Sequence, residues 1–446
     1  MNVPEMRSIT KQLLRNGKPS IKEYEEALPY CKELYEMYLE TNDLWDVLQY
    51  ANCLKQLGKN NEAEQVCEII YQEFAGKSFS AEQKRPLCII KNIYAWIIYE
   101  QYVKSLRNKN YSVNCSFLID KMIILSDLVY PNEQYAPSFS YCLFHVAKYV
   151  IDNGKKEDFG KILPLFDMID ESSLSQEAHR FFDGSGKERE IASEMEDYYV
   201  LKSELLLKTN LFEKCISCCS CAMEKISKFH CDNDIWFERR CAQALIAFGD
   251  IDGAIKKLNR LVVISDKWFL LSEIGHCYFV KKDYKTAMLF LLRAACTKDP
   301  EKMKVNLYES IGDVCVIIGD NKLAQLNYQI AKEIRKDNGW VVKSRLLQKI
   351  KYEQPVTIKN IKKELISKLY FLAGKKEGKL IKLFPRNSGG FIKAGKETYY
   401  FHCNNFLEKS EFLKIGNEVC FIVVNSFDKK KQEYSKEASV ITIKKE

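Results

Sequence analysis

Small and apolar residues recur along most of this chain at helical spacing, and only towards its C-terminal end does the pattern change to strict alternation. Between residues 44 and 76, Ala51, Leu54, Gly58 and Ala63 in the phrase YANCLKQLGKNNEAEQ mark two helices joined by a tight turn. The pattern then returns three times in succession. It reads Ala242, Leu245, Gly249, Ala254 and Leu258, then Gly275, Tyr278, Tyr284, Ala287, Leu291 and Ala294, then Gly312, Asp320, Ala324, Tyr328 and Ala331. The anchors Ala254, Ala287 and Ala324 lie 33 and 37 residues apart, a period that predicts stacked helix pairs. Small residues let the two helices of a pair approach, and larger ones fill the groove against the next pair. One pair cannot bury its apolar face alone, so the pairs stack.

This spacing resembles the tetratricopeptide family over residues 235–337, with looser copies at 44–76 and 198–228. The last of these carries Ser203, Leu206, Phe212, Cys215, Cys219 and Ala222. The resemblance implies a helical solenoid over 1–351 whose concave groove holds a protein partner. Residues 80–200 read as irregular helix pairs, with an aromatic-rich helix at Tyr94, Trp96, Ile97 and Ile98, and with Pro131, Pro137 and Pro164 as punctuation. Residues 338–351 are expected to cap the solenoid, and Gln354-Pro355 ends that helix. Over 352–374 a basic linker helix places Ile358, Ile361, Leu365 and Leu369 on one stripe and Lys359, Lys362, Lys363 and Lys368 off it. Such a stripe predicts packing between solenoid and barrel.

From Gly378 to His402 the sequence GKLIKLFPRNSGGFIKAGKETYYFH reads as two β-like runs joined by a glycine-containing turn. Alternation puts Tyr400 and His402 on one face and Tyr399 and Phe401 on the other. Ser388-Gly389-Gly390-Phe391-Ile392 resembles the G-F-G-F-I motif of cold-shock domains, and Thr398 to His402 resembles their second motif. Gly416 to Phe421 and Ala438-Ser-Val440 follow in the family's order. The resemblance implies a small all-β OB-type barrel over 375–446 that stacks unpaired bases on Phe391, Tyr400 and His402, with Phe384 as a further ring. It also implies phosphate contacts from Lys382, Lys393 and Lys396. Two family rings are absent, since Gly389 and Cys403 stand in their places, and either Lys382 or Leu383 falls at the family's tryptophan. The Phe427–Ala438 loop reads equally as a solvated turn or a phosphate-contacting edge.

Composition sharpens this division. The 446 residues carry a net charge of +8, yet residues 341–446 hold 23 Lys and Arg against 11 Asp and Glu, so the preceding residues are net negative. A basic patch coinciding with a base-stacking module is the electrostatic footprint of nucleic-acid binding. No apolar run approaches the 18 or so residues a membrane span needs, and the N-terminal residues have no signal-like apolar core, so a cytoplasmic protein is expected. The 17 cysteines, scattered through helical patterns, read as reduced core residues.

Candidate chemistry is sparse. In CISCCSC, Cys215, Cys219 and Ala222 face the repeat's core while Cys218 and Cys221 point elsewhere, a spacing that suits packing rather than a four-thiolate metal site. Gly184-Ser-Gly-Lys187 lacks the first glycine and the final Ser or Thr of a phosphate loop. The histidines are dispersed, and Asp232 to Asp234 beside His230 read as a helix N-cap. No catalytic group, metal or cofactor is expected. The chain reads as a non-enzymatic adaptor for single-stranded nucleic acid, RNA over DNA, and for a protein partner; the alternative is an interaction scaffold whose barrel docks protein. The phrases FHCDNDIWFERR, LYESIGDVC and IRKDNGW, with the repeat-then-barrel order, resemble proteins of bacterial TOTE conflict systems, which implies a role in defence against foreign nucleic acid.

Overall fold

A computed structural model describes residues 1–15, 18–77, 79–108, 110–129, 136–428 and 433–444. Pro131 and the 429–432 tip of the charged loop lie outside the described residues. The chain divides into two units, residues 1–233 and 234–446.

In the first unit, α1 (Val3–Leu13), α2 (Ile21–Glu36), α3 (Tyr38–Thr41), α4 (Leu44–Gln56), α5 (Asn60–Phe74) and α6 (Ala81–Ile98) precede α7 (Cys115–Val129), α8 (Phe139–Asn153) and α9 (Lys156–Phe166). Reciprocal capping boxes start three of them, Asn2 with Glu5, Ser20 with Glu23 and Ser80 with Gln83. The anchors Ala51, Leu54 and Ala63 are fully buried, and Gly58 turns the chain at φ 72°. Next come β1 (His179–Phe182) and β2 (Glu188–Ile191), then α10 (Glu194–Lys208) and α11 (Phe212–Lys225). The β1–β2 hairpin corrects the expectation of helix pairs through residue 200. Its cause is Asp183, whose carboxylate accepts from Ser185 N at 2.9 Å, Lys187 N at 3.1 Å and Arg189 Nε at 2.8 Å, while Gly186 takes φ 75°. The Ser185 hydroxyl, which also donates to it, together with Arg189 and the Lys187 N–H, holds the Asp183 carboxyl down at about 2.

In the second unit, α12 (Asn233–Phe248), α13 (Ile251–Ile264), α14 (Trp268–Val280), α15 (Tyr284–Ala295), α16 (Val305–Ile317) and α17 (Asn321–Asp337) form the regular pairs. One device builds each inter-helix turn. Gly249, Lys282 and Gly319 adopt left-handed backbone at φ 95°, 63° and 83°, and the next residue, Asp250, Asp283 or Asp320, caps the second helix. The three aspartates accept from Gly253 N at 2.9 Å, Thr286 N at 3.1 Å and Leu323 N at 3.3 Å. The pairs close on glycine: a Cβ on Gly275 would stand 2.7 Å from the Leu291 side chain, and one on Gly312 would stand 2.4 Å from the Tyr328 ring.

The expected capping helix is short. Only α18 (Ser344–Lys349) is helical, with Leu346 buried and Gln325 donating to Lys349 O at 2.9 Å and accepting from Lys351 N at 2.8 Å. The linker helix α19 (Ile358–Ala373) starts at the Thr357 cap and ends where Gly374 takes φ 80°. Its stripe residues Ile361, Leu365 and Leu369 are fully buried in one core with Leu292, Ile330, Ile422 and Val440. Lys368 pairs with Asp320 at 2.8 Å, and Tyr370 Oη donates towards Val440 O at 2.7 Å and Cys420 O at 2.9 Å.

The remaining strands are β3 (Lys376–Leu383), β4 (Gly389–Ala394), β5 (Glu397–His402), β6 (Glu418–Asp428) and β7 (Glu433–Ile443). They close in the order β3-β4-β5-β7-β6, antiparallel except where Tyr400 pairs with Glu437 in parallel. That order is an OB-type barrel, filled by Leu380, Ile392, Tyr399, Phe401 and Phe421. The chain is therefore mostly α, a tetratricopeptide-like helical solenoid followed by a small closed β-barrel.

Gly312→Ala should destabilise the protein. Overpacking costs about 1–3 kcal/mol, more than the ~1 kcal/mol that alanine gains over glycine in a helix, so thermal unfolding should occur at lower temperature. Leu365→Ala, which removes the middle of the α19 stripe, should cost about 2–5 kcal/mol in a denaturant titration.

Candidate nucleic-acid interface

Strand register assembles the outer face of the barrel. Lys382 lies opposite Phe391 across β3–β4, and Phe391 lies opposite Tyr400 across β4–β5, so the three form a row across adjacent strands. A bulge at Ile381 creates this register, leaving both Ile381 and Lys382 exposed. It places Lys382, not Leu383, opposite the first motif's phenylalanine. Phe384 follows directly after β3 and folds over the row.

The rings of Phe384, Phe391 and Tyr400 meet one another. Their centroids are 5.6 Å apart for Phe384–Phe391, 6.0 Å for Phe391–Tyr400 and 6.2 Å for Phe384–Tyr400. Tyr400 is 38% exposed and the two phenylalanines are half-buried. Lys382 Nζ stands 5.9 Å from the Phe384 ring centroid, within cation–π range. Lys393 is exposed two residues beyond Phe391 on the same face, and Lys396 is exposed in the two-residue turn opened by Gly395 at φ 62°. At the other end His402 is exposed opposite Gly389, with its Nδ1 accepting from Asn404 N at 3.2 Å. The structure thus gathers three rings and one lysine, and sets Lys393 and Lys396 towards one end and His402 at the other.

The glycines of the first motif have a steric cause. A Cβ on Gly390 would lie 2.2 Å from Lys382 O, and one on Gly389 would lie 2.4 Å from Phe401 O and 3.4 Å from Tyr400 Oη. The Tyr400 hydroxyl thus leans over Gly389. Behind this face Tyr399 is 4% exposed and packs edge-on against Phe421 at 5.6 Å, while Lys376 donates to its hydroxyl at 2.5 Å and pairs with Glu397 at 2.7 Å. Lys376 is held by these partners away from the row.

Other candidate groups are occupied by packing. Cys215 and Cys219 are fully buried, and Cys218, expected to point elsewhere, is buried too at 8% exposure, because α11 is covered on a wider arc than a single stripe. Among the described residues no group of three or more His, Cys, Asp or Glu side chains could hold a metal ion. His230 is locked through its backbone N and its Nδ1, both 2.8 Å from the fully buried Glu196 carboxylate, which also accepts from Asn233 at 2.7 Å. Sequence reasoning missed this pair, which joins residues 34 apart with no local signal. It also missed Tyr370, which sits off the apolar stripe yet anchors the helix to β6 and β7.

The fold defines a class, tetratricopeptide-like helical repeats joined to a closed OB-type barrel. No family model matches the chain, and no curated protein matches it. Among solved structures, a Rap protein complexed with competence and sporulation factor is 12% identical over 74% of this chain and 87% of that one, with a TM-score of 0.36. A tetratricopeptide repeat protein from Parabacteroides merdae is 11% identical over 68% of this chain and 96% of its own, with a TM-score of 0.28. A human IFIT1 dimer with m7Gppp-AAAA is 13% identical over 84% and 86%, with a TM-score of 0.29.

Tyr400→Ala, which removes ring contacts on the outer face only, should lower the unfolding temperature less than Tyr399→Ala, which opens the barrel core. Tyr399→Ala should cost about 3 kcal/mol or more. Thermal melts of the two variants check the assignment of faces.

Proposed function

We propose that the barrel face binds single-stranded nucleic acid by stacking bases on Phe384, Phe391 and Tyr400, with Lys382, Lys393 and Lys396 meeting phosphates and His402 extending the row. The observation that carries this reading is the cluster of three mutually contacting rings beside a lysine, Tyr400 exposed and the two phenylalanines half-buried, on the outside of a closed barrel. Exposed rings accept the face of any unpaired base, whereas bases stacked inside a duplex offer no free face. On this reading residues 375–446 take the strand, RNA in preference to DNA, the helical repeats through 351 hold a protein partner, and 352–374 join the two. The chain is an adaptor without chemistry of its own, working in the cytoplasm. The resemblance to TOTE conflict proteins supports a role in defence against foreign nucleic acid.

Binding of labelled oligonucleotides to the full chain tests this. Single strands should bind in preference to duplex, and three phosphate contacts should give a slope of about −2 in log affinity against log salt. Tyr400→Ala should weaken binding about five- to 150-fold, the equivalent of one stacked base. Equal affinity for duplex, or a folded Tyr400→Ala variant that binds like the parent, would overturn the stacking mechanism.

A further inference from the structure

A cleft of about 490 Å³ opens inside the second unit where the ring row ends. Its helical wall is the Ser265–Lys267 loop, the end of α15 with Arg293, and the segment after α15 that carries Lys298. Its barrel wall is Asn404, Asn405 and Ser439. Tyr400 and Asn404 are separated by at most about 14 Å of chain, so a strand leaving the rings past His402 reaches the cleft mouth directly. Lys298 Nζ ties the two walls by donating to Cys403 O at 3.2 Å, and within the barrel wall Ser439 Oγ donates to Asn405 Oδ1 at 3.3 Å.

The chemistry of the walls suits a base edge. Asp266 offers carboxylate oxygens, the exposed Asn404 offers an amide that both donates and accepts, and cations stand at Lys267, Arg293 and Lys298. Amides pair bidentately with an adenine edge and carboxylates accept from the amino group of cytosine. Behind the lining, burial and the neighbouring Asp266 charge push the Glu437 carboxyl up to about 7. Burial likewise brings the Arg293 guanidinium down to about 10. Stacking on the ring row alone is tolerant of base identity.

We infer that the cleft is a base pocket: one nucleobase bearing an exocyclic amino group leaves the ring row beyond His402 and enters between the end of α15 and β7. The inference rests on the stacking function proposed above. It makes the helical repeats part of nucleic-acid recognition and assigns base preference to Asp266 and Asn404, with Lys267 and Lys298 near the phosphate.

The test uses the full chain and single-stranded oligouridylate and oligothymidylate, each with one A, C or G placed at every position in turn. An amino-bearing base should tighten binding about five- to 150-fold at one position. Asp266→Ala and Asn404→Ala, at two exposed positions, should each narrow that ratio, while Tyr400→Ala should weaken binding to every oligonucleotide. No positional preference in the parent, or the same preference in both cleft variants, would overturn the pocket and leave the ring row standing if Tyr400→Ala still weakens binding. A parent that binds neither RNA nor DNA overturns the ring row and the pocket together.

Discussion

At Gly389 and Gly390 the β4 backbone lies so near its neighbours that a Cβ would stand 2.4 Å from Phe401 O and 2.2 Å from Lys382 O. That approach lets β4 lie close between β3 and β5, where the bulge at Ile381 sets the register in which Lys382, Phe391 and Tyr400 become a row. Larger residues there would push the strands apart and scatter the rings. The same constraint shapes the repeats, where Gly275 and Gly312 let α14 meet α15 and α16 meet α17 closer than any side chain permits. Two unlike folds in one chain thus depend on the same steric allowance, a close backbone approach that only glycine admits.

What links the two within the second unit is α19. Its apolar stripe enters the helical core while Tyr370 bonds to the carbonyls of Cys420 and Val440, so the helix ties repeats and barrel through both apolar and polar contacts. Lys362 and Lys368, which the sequence shows only as basic, pair with Glu301 and Asp320 of the repeats. Part of the positive charge of residues 341–446 therefore serves assembly. The lysines on the barrel face remain exposed.

Much of this was legible in the sequence because it follows short periods. Alternation placed Tyr399 and Phe401 inside and Tyr400 outside, and repeat spacing located the alanines and glycines where helices touch. What was not legible depends on single residues acting across distance. The bulge at Ile381 decides whether Lys382 or Leu383 faces outward, and nothing in an alternating run announces it. Asp183 converts a glycine-rich loop into a hairpin through bonds that only the folded turn brings together. Cys218 lies off the helical stripe yet is buried, since the neighbours of α11 cover more of it than a two-helix repeat requires.

The claim at the centre of this account is that unpaired bases stack on the β4–β5 face. Photo-crosslinking reads contact directly: an oligonucleotide carrying 4-thiouridine is irradiated with the full chain, and the adducts are mapped by mass spectrometry. The account predicts adducts concentrated in the peptides spanning Phe384 to His402. Crosslinks confined to residues 1–233, or none on the barrel at concentrations where the strand is bound, would contradict it.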